Sequence, residues 1–368
     1  MSSSPAAAAA VASSVAPFHP ESYLNPQGPG DARPTAAQVV LELNPDRSLW
    51  RSAVVMITGC SSGIGVETAR AFLTVGAQVY LPVRSADKMK AITADLLATP
   101  GVSGAQLTVL SMDLSSLASV RQCAAEFLRQ SKGQLNLLIN NAGIMATPEG
   151  KTVDGFETQF GTNHLGHFLL TQLLLPALQS SSTAALPSRV VCLSSVGHSM
   201  SPVLFGDYDL SKRGYDRWIA YGQSKTANIY LATEIERRFG AGDAEGKGVV
   251  HALAVHPGGI MTNLLQHVGE VGQADLDAMG LTAEDWANFG PMFKSVPQGA
   301  ATTVWAALHQ DFNDHTKAGK YCEDTSVTGP KDPNVKVHSI AAKGHAAWAY
   351  DQQAAKQLWE ESIKMVGL

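Results

Sequence analysis

From residue 53 onward, short runs of β-branched and apolar residues alternate with stretches of helical periodicity. The runs predict buried strands at 54–58, 78–83, 107–112, 135–139, 190–193 and 249–255. Helices are predicted between and after them at 63–75, 86–97, 117–130, 156–178, 222–238 and 297–307. Such alternation requires right-handed crossover connections and a parallel sheet with helices on both faces. The sequence therefore predicts a single doubly wound α/β domain of the Rossmann type.

The two ends of the chain lie outside this alternation. Residues 1–36 are predicted to form a flexible, low-complexity arm, rich first in Ser and Ala and then in Pro. Thr35 precedes a short helical stretch at 36–43, for which we expect packing on the domain and no function. Residues 37–368 are predicted to form the domain, which ends in an amphipathic helix at 346–365.

Composition argues against several classes of protein. The 368 residues include 27 Lys and Arg against 32 Asp and Glu, a formal net charge of −5, so we expect no nucleic-acid binding through bulk positive charge. The four cysteines are far apart and form no C-x-x-C pair, so neither a metal site nor a disulfide framework is predicted. No apolar run reaches the ~18 residues of a transmembrane helix, and no basic leader precedes the Ala-rich start. A cytoplasmic location is predicted.

The first predicted strand runs into a glycine-rich turn, T-G-C-S-S-G-I-G at 58–65. Its candidate cofactor-binding residues are Gly59, Ser61, Gly63, Ile64 and Gly65. Glycines let a diphosphate approach the backbone, and the following helix presents free N–H groups and the positive end of its dipole. Many strand-to-helix turns contain such glycines without binding a nucleotide, but the position after the first buried strand favours dinucleotide binding.

The ends of the next strands carry further cofactor candidates. Arg84 follows the second strand, at the point where an acidic residue would bind the ribose 2′-hydroxyl of NAD, and a guanidinium suits the 2′-phosphate of NADP. NADP(H) is therefore the predicted cofactor, unless Arg84 is an ordinary surface residue or Pro82 bends the strand and moves it away. Asp113, followed by Leu114, either accepts a hydrogen bond from adenine or caps the next helix. The fourth strand is followed by Asn140, Ala142 and Gly143. Small residues here let the chain pass close to a ribose, although a plain turn uses them too.

Tyr221 and Lys225 are four residues apart in a predicted helix, so their side chains share one face. A lysine ammonium beside a phenol favours the phenolate, as would the cationic ring of an oxidised nicotinamide. The pair therefore predicts a tyrosine pKa below its usual ~10, suited to proton exchange with a substrate hydroxyl. Ser195, with Ser194 as the alternative, ends the fifth strand. A Y-x-x-x-K pair alone is common among surface residues, and the order of motifs along successive elements is what favours catalysis.

Together these motifs resemble the short-chain dehydrogenase/reductase family, most closely its retinol-dehydrogenase and WW-domain-oxidoreductase branch. The resemblance covers roughly residues 50–325 and adds T-N-H-L-G-H-F at 162–168, H-P-G-G-I-M-T at 256–262 and G-K-Y-C-E-D at 319–324 to the motifs above. There is no WW module, because the N-terminal arm lacks paired tryptophans. Cys60 departs from many relatives, which carry another small residue there, and a small filler is expected rather than a redox-active thiol.

The resemblance implies a role for each candidate residue. Tyr221 would be the general acid/base, Lys225 would bind the nicotinamide ribose and favour the phenolate, and Ser195 would hydrogen-bond the substrate oxygen. Asn163 would hold a water that links Lys225 to solvent. The remaining cofactor contacts would come from Asn140 near the ribose and from Pro257, Ile260 and Thr262 near the nicotinamide amide and the diphosphate.

A substrate loop at 196–220 and a lid at 263–296 are predicted to form the substrate pocket. The loop carries His198, Met200, Leu204, Phe205, Tyr208, Tyr215 and Trp218, which suit a bulky hydrophobic ligand. The same residues would equally serve to pack the loop on the domain, and the lid would equally serve as a partner-binding helix pair.

The predicted protein is an enzyme that transfers a hydride between NADP(H) and a small hydrophobic carbonyl or alcohol. Retinoid-, steroid- and polyketide-like substrates all stay open, since the family includes tailoring enzymes of secondary metabolism. The alternative is a regulatory or scaffold protein that binds the cofactor without turnover. The resemblance also makes a homodimer a candidate assembly, through the helices that begin at 156 and 221.

Overall fold

The computed structural model describes residues 15–44, 48–243, 248–269, 271–332, 334–335 and 342–368. Its strands are β1 (Val54–Ile57), β2 (Gln78–Val83), β3 (Leu107–Ser111), β4 (Leu137–Asn140), β5 (Ser188–Leu193), β6 (Val250–His256), β7 (Gly259–Ile260), β8 (Phe293–Lys294), β9 (Tyr321–Glu323) and β10 (Ser326–Val327). All six predicted strands are present within two residues at either end. The strand β9 was not predicted, because three residues are too few to give a periodic signal.

The main sheet confirms the predicted doubly wound α/β fold. Its strand order is β10-β9-β6-β5-β4-β1-β2-β3, while β7 and β8 form a separate two-stranded ribbon. Within the main sheet every pair is parallel except β9 with β10. The chain enters in the middle at β1, extends outward to β3, and returns to β4 on the other side of β1. That reversal opens a crevice at the carboxyl ends of β1 and β4, where open α/β sheets hold their ligands.

Helices cover both faces of the sheet. They are α1 (Ala36–Leu43), α2 (Ile64–Thr74), α3 (Ala86–Leu97), α4 (Leu117–Gln130), α5 (Thr158–Phe160), α6 (Gly166–Ser181), α7 (Arg217–Phe239), α8 (Gln273–Met279), α9 (Ala283–Ala287), α10 (Val296–Gly299), α11 (Ala301–Leu308) and α12 (Gln352–Met365). One face of the core is packed by α4, α6, α7 and α12, and the other by α1, α2, α3 and α11. None of the helices in the described ranges is long and apolar enough to cross a membrane.

The helix predicted at 156–178 is interrupted. A π-helical turn, Gly161–Leu165, lies between α5 and α6. Such turns add a residue to the helix and are frequent at functional sites. Here the turn carries Asn163, whose side chain points toward the loop that follows β4.

In the described part of the N-terminal arm, the structure differs from the prediction of a flexible arm. Residues 1–14 lie outside the described residues, but 15–34 pack against the domain instead of forming a flexible arm. Arg33 is 4% exposed and bonded to backbone carbonyls of the distant segment 291–293. The predicted helix α1 begins as expected, with a capping box between Thr35 and Gln38.

Candidate active site

A cavity of about 730 Å³ opens at the carboxyl ends of the central strands. It brings together sixteen of the eighteen predicted site residues: Gly59, Ser61, Gly63, Ile64, Gly65, Arg84, Asp113, Leu114, Ala142, Gly143, Ser195, Tyr221, Lys225, Pro257, Ile260 and Thr262. These residues come from segments up to about 200 positions apart in sequence, so only the sheet topology makes them neighbours.

Two glycines of the glycine-rich turn, Gly59 and Gly65, have no room for a side chain. A Cβ at Gly59 would lie 2.6 Å from the Cα of Ala142, and Gly59 has a φ of +73°. A Cβ at Gly65 would lie 2.5 Å from the carbonyl oxygen of Gly59. The backbone therefore forms a cradle at the N-terminus of α2, which fits a diphosphate. Cys60 is fully buried and burial raises the pKa of its thiol, as expected of a small filler rather than a reactive group.

Two residues that sequence reasoning missed hold this turn in place. The Thr58 hydroxyl accepts hydrogen bonds from the backbone N–H groups of Asn141 and Ala142, both at 2.9 Å. The Asn141 amide donates to the carbonyl oxygens of Thr58 at 2.7 Å and Gly59 at 3.2 Å. Both lie within the stretches that carry the predicted residues, but neither offers a charge or a glycine to mark it.

The position of Asn140 does not agree with the prediction that it contacts the cofactor. It is the last residue of β4, and its amide donates to the Thr171 hydroxyl of α6 at 3.0 Å. Successive side chains of a strand point to opposite faces, so Asn140 turns into the helical layer while Asn141 lines the cavity. Of the two neighbouring asparagines, Asn141 therefore lines the cavity and Asn140 does not.

The nucleoside end of the cavity lies at the ends of β2 and β3. Arg84 is exposed and lines it together with Lys88, which the sequence analysis did not single out. Pro82 does not bend the strand, since the β2–β3 register continues through Val83. Asp113 lines the cavity while one carboxylate oxygen accepts from the hydroxyl of Ser115 at 2.8 Å. The next helix, α4, is capped by Ser116, so capping is not the role of Asp113.

Tyr221 and Ser195 lie together at the centre of the cavity. The Ser195 hydroxyl and the Tyr221 ring both lie against Gly197, and the Ser195 hydroxyl accepts from the Gly197 N–H at 3.0 Å. The Ser194 hydroxyl instead donates to the Lys225 carbonyl oxygen at 2.9 Å, inside the protein. Of the two serines, Ser195 is therefore the one placed to meet a substrate.

His198 fixes the backbone of Ser195. Its Nδ1–H donates to the Ser195 carbonyl oxygen at 2.6 Å, and its Nε2 accepts from the Ala346 N–H at 3.0 Å. Burial lowers the pKa of His198 to about 3, so the imidazole stays neutral. This partner arrangement excludes His198 as a second catalytic base and makes it a support for Ser195.

Burial controls the proton affinities of the Tyr221–Lys225 pair. It raises the pKa of Tyr221 to about 12, against a lowering contribution from Ser195. It also lowers the pKa of Lys225 to about 8. The ammonium of Lys225 donates to the Leu193 carbonyl oxygen at 3.1 Å and lies 5.5 Å from the centre of the Tyr221 ring. Burial thus acts against the predicted lowering of the Tyr221 pKa, because desolvation disfavours the phenolate even with a lysine directed at the ring face.

Asn163 lies behind the catalytic pair. Its amide exchanges two hydrogen bonds of 2.9 Å with the backbone of Ile144 and donates to the Ser224 hydroxyl at 3.0 Å. The backbone carbonyl oxygen of Asn163 accepts from His167 Nδ1 at 2.9 Å, and His167 Nε2 lies 2.9 Å from Thr58 Oγ1. The side chain therefore ties the π-helical turn to the loop after β4, next to the lysine.

An apolar surface covers the other side of Tyr221. A buried cluster joins Tyr221 to Met145, Ala146, Trp218, Val268, Leu276, Met279 and Leu281. Of the aromatic and apolar residues predicted in the substrate loop, Met200 and Trp218 line the cavity. Phe205 and Tyr208 pack against the core under α6 and α12, so for them the packing alternative is right.

The lid segment, 263–296, is fastened to the start of α7. Asp275 of α8 accepts from the Trp218 indole N–H at 2.8 Å and forms an ion pair with Arg217. Arg217 also donates to the carbonyl oxygen of His267 at 3.2 Å. The lid thus packs its apolar side over the cavity, directly above Tyr221.

Known proteins share this sequence and fold. A model of the short chain dehydrogenase family matches residues 53–271. Short-chain dehydrogenase/reductase prx1 of Penicillium roqueforti is 43% identical over 351 residues, which cover 95% of this chain and 94% of the relative. Retinol dehydrogenase 12 of Homo sapiens is 37% identical over 317 residues, 86% of each chain. The solved structure of an uncharacterized protein from Mycobacterium Paratuberculosis superposes with a TM-score of 0.60 at 32% identity, covering 86% of this chain and 94% of that one.

The chain belongs to the short-chain dehydrogenase family. It is accordingly an oxidoreductase that works with a nicotinamide cofactor and acts on CH–OH groups. The predicted family resemblance, including its retinol-dehydrogenase side, is confirmed.

Proposed function

We propose that the protein is an NADP(H)-dependent oxidoreductase that interconverts a hydrophobic ketone or aldehyde and the corresponding alcohol. The observation that carries the proposal is one cavity in which Ser195, Tyr221 and Lys225 stand between a glycine cradle and an apolar lid. A protein that only bound the nucleotide would have no use for this set together with a closed apolar compartment.

The preference for NADP(H) is supported by the charge at the nucleoside end. Arg84 and Lys88 both line the cavity just beyond β2, and two cations there suit the dianionic 2′-phosphate that distinguishes NADP from NAD. The Pseudomonas aeruginosa RhlG/NADP active-site complex, with a TM-score of 0.54 and 25% identity over 74% of this chain and 96% of that one, is a similar structure that holds NADP.

The residues of the site divide the chemistry between them. When bound, NADP(H) supplies or accepts the hydride and, in its oxidised form, adds a positive ring beside Tyr221. Ser195 donates a hydrogen bond to the substrate oxygen, where negative charge develops. Tyr221, protonated at neutral pH, gives its proton to that oxygen in the reductive direction and takes it back in oxidation. Lys225 stabilises the phenolate that is left, and the replacement proton comes from solvent through a water held by Asn163 and then through Lys225.

The substrate is proposed to be largely apolar. Trp218, Met200 and Met279 line the compartment next to Tyr221, together with the lid residues Leu264 and Val268. Such walls bind a hydrocarbon skeleton and leave a single carbonyl or hydroxyl at the serine and tyrosine. The relative named retinol dehydrogenase 12 supports retinoid-like skeletons as the first compounds to assay, and secondary-metabolite-like skeletons stay a prediction. A cytoplasmic location and a homodimer stay predictions.

The decisive experiment compares Tyr221→Phe with Tyr230→Phe. Both tyrosines are buried in α7, but the Tyr230 hydroxyl donates to the Trp348 carbonyl oxygen, away from the cavity. With a panel of hydrophobic ketones followed by NADPH absorbance, the Tyr221 variant should lose at least about a hundredfold in kcat, the usual contribution of a general acid, and keep its NADPH affinity. The Tyr230 variant should retain wild-type turnover. Equal turnover by the Tyr221 variant and the wild type would refute the role assigned to Tyr221, whereas NADPH binding by the wild type without turnover of any compound in the panel would favour the scaffold alternative.

A further inference from the structure

The segment that precedes α1, residues 18–34, forms part of the cavity wall. Tyr23, Pro26 and Arg33 line the cavity, although the sequence analysis expects no function in this region. The start of the segment is fixed to the turn between β9 and β10, where Phe18 N–H donates to the Thr325 carbonyl oxygen at 3.0 Å and the Thr325 hydroxyl donates to the Phe18 carbonyl oxygen at 2.7 Å. We call residues 18–34 the N-terminal segment.

Arg33 attaches the other end of this segment to the end of the lid. Its guanidinium donates to the carbonyl oxygens of Gly28 (3.1 Å), Pro291 (3.2 Å), Met292 (2.9 Å) and Phe293 (2.6 Å), and to the Asp31 carboxylate (2.9 Å). Three of these carbonyls are consecutive and lead from the lid into β8. Only a planar fork with five N–H donors satisfies such a set, so lysine is no equivalent here.

A second side chain completes the attachment. The Gln298 amide donates to the carbonyl oxygens of Asp31 at 3.0 Å and Arg33 at 2.9 Å. Its oxygen accepts from the backbone N–H groups of Gly30 and Ser295, both at 2.9 Å. The N-terminal segment therefore holds β8 from both sides, at residues 291–293 and at residues 295 and 298.

The strand β8 in turn positions the part of the cavity assigned to the nicotinamide. It pairs with β7, with Gly259 opposite Phe293 and Ile260 opposite Lys294. Lys294 also donates to the Pro257 carbonyl oxygen at 3.1 Å. A shift of β8 would be transmitted directly to Pro257 and Ile260, both of which line the cavity.

We propose that Arg33 is a positioning residue for nucleotide binding, because it holds the β7–β8 ribbon and the adjoining end of the lid in the geometry that the nicotinamide half requires. The inference rests on the proposed function in one respect, that NADP(H) occupies this cavity. The N-terminal segment is accordingly part of the binding site rather than an appendage to it.

The test compares Arg33→Lys with Arg189→Lys. Arg189 is a matched control, since it is 3% exposed and its guanidinium also donates to successive backbone carbonyls, at Ala306 and Ala307, but near the amino-terminal end of β5. Both variants should lower the melting temperature. Arg33→Lys alone should raise the Kd of NADPH by about tenfold. At saturating nucleotide, its kcat should stay within about twofold of wild type. Hydrogen exchange without ligand should accelerate at 259–268 and 291–294.

The outcomes distinguish a failure of this inference from a failure of the proposed function. An unchanged Kd and unchanged exchange in Arg33→Lys, or an equal rise of Kd in Arg189→Lys, would overturn the inference alone. If Arg33→Lys does not fold, Gln298→Ala leaves the guanidinium in place and should still weaken NADPH by about threefold with the same exchange pattern. No change in that variant would likewise overturn the inference. Wild-type protein that bound no NADP(H) would overturn the proposed function together with it.

Discussion

Replacing Gly65 by alanine tests whether the turn after β1 is shaped for a diphosphate. The new Cβ would lie 2.5 Å from the Gly59 carbonyl oxygen and 2.7 Å from the Asn141 amide nitrogen, closer than real Cβ contacts allow. Those atoms must separate, which breaks or lengthens the two hydrogen bonds from the Asn141 amide to Thr58 and Gly59. At about 0.5–1.5 kcal/mol each, their loss amounts to about 1–3 kcal/mol. That converts to about a 5- to 150-fold weaker Kd for NADPH if the cost is expressed in binding.

The assay is a fluorescence titration with NADPH, combined with thermal unfolding to record the part of the cost that appears as lost stability. Gly104→Ala is the control, because Gly104 lies outside the cavity and a Cβ there meets nothing within 4 Å. The control should keep the wild-type Kd and melting temperature. A Gly65→Ala protein of wild-type stability whose Kd for NADPH is within twofold of wild type would refute the proposed cradle.

Three further predictions concern the cofactor, the proton and the lid. Arg84→Ala should weaken NADPH about tenfold while leaving NADH nearly unchanged, the loss expected when one charge-assisted contact goes and Lys88 stays; an unchanged preference between the two nucleotides would remove Arg84 from the site. Carbonyl reduction should fall as the pH rises through about 8, where Lys225 loses its proton. The lowered folded-state pKa of Lys225 makes its contribution to stability rise with pH between about 8 and 10.5, so melting curves recorded beside the rate profile separate the lost charge from unfolding. Asp275→Asn removes the charge that holds the lid to Arg217, and this partly exposed ion pair is worth about 0.5–1 kcal/mol. The KM for an apolar substrate should therefore rise about threefold with kcat unchanged. A constant KM would mean that the lid does not hold the substrate.

Much of the fold follows from local pattern. The central strands are buried on both faces and therefore appear as short, continuous apolar runs. The flanking helices are amphipathic and show the helical period. Both patterns are visible in short windows of sequence. The elements that escaped prediction, such as β9 and the π-helical turn around Asn163, are three to five residues long. Segments of that length acquire their conformation from the elements beside them, so their own residues carry little signal.

The motifs of the site were also visible, because glycines, a serine after a strand and a Tyr–Lys pair at helical spacing are local features. Direction was not. Whether Asn140 or Asn141 lines the cavity, and whether the hydroxyl of Ser194 or of Ser195 is bonded to α7, depends on which way a strand leaves the sheet, because a change of one residue reverses the side chain. Only the hydrogen bonds of Asn140 to Thr171 and of Ser194 to the Lys225 carbonyl oxygen in α7 distinguish the two residues of each pair.

The sequence by itself determined the order of strands and helices, the glycine-rich turn and the identity of the residues proposed to handle the proton. Tertiary structure decided how burial acts on the pKa of Tyr221 and where the chain before α1 packs. Both depend on surroundings assembled from distant segments: burial desolvates the phenolate, and Arg33 finds its carbonyl partners some 260 residues away. Local periodicity carries no information about such contacts, since desolvation and long-range hydrogen bonds exist only once the whole domain has closed around them.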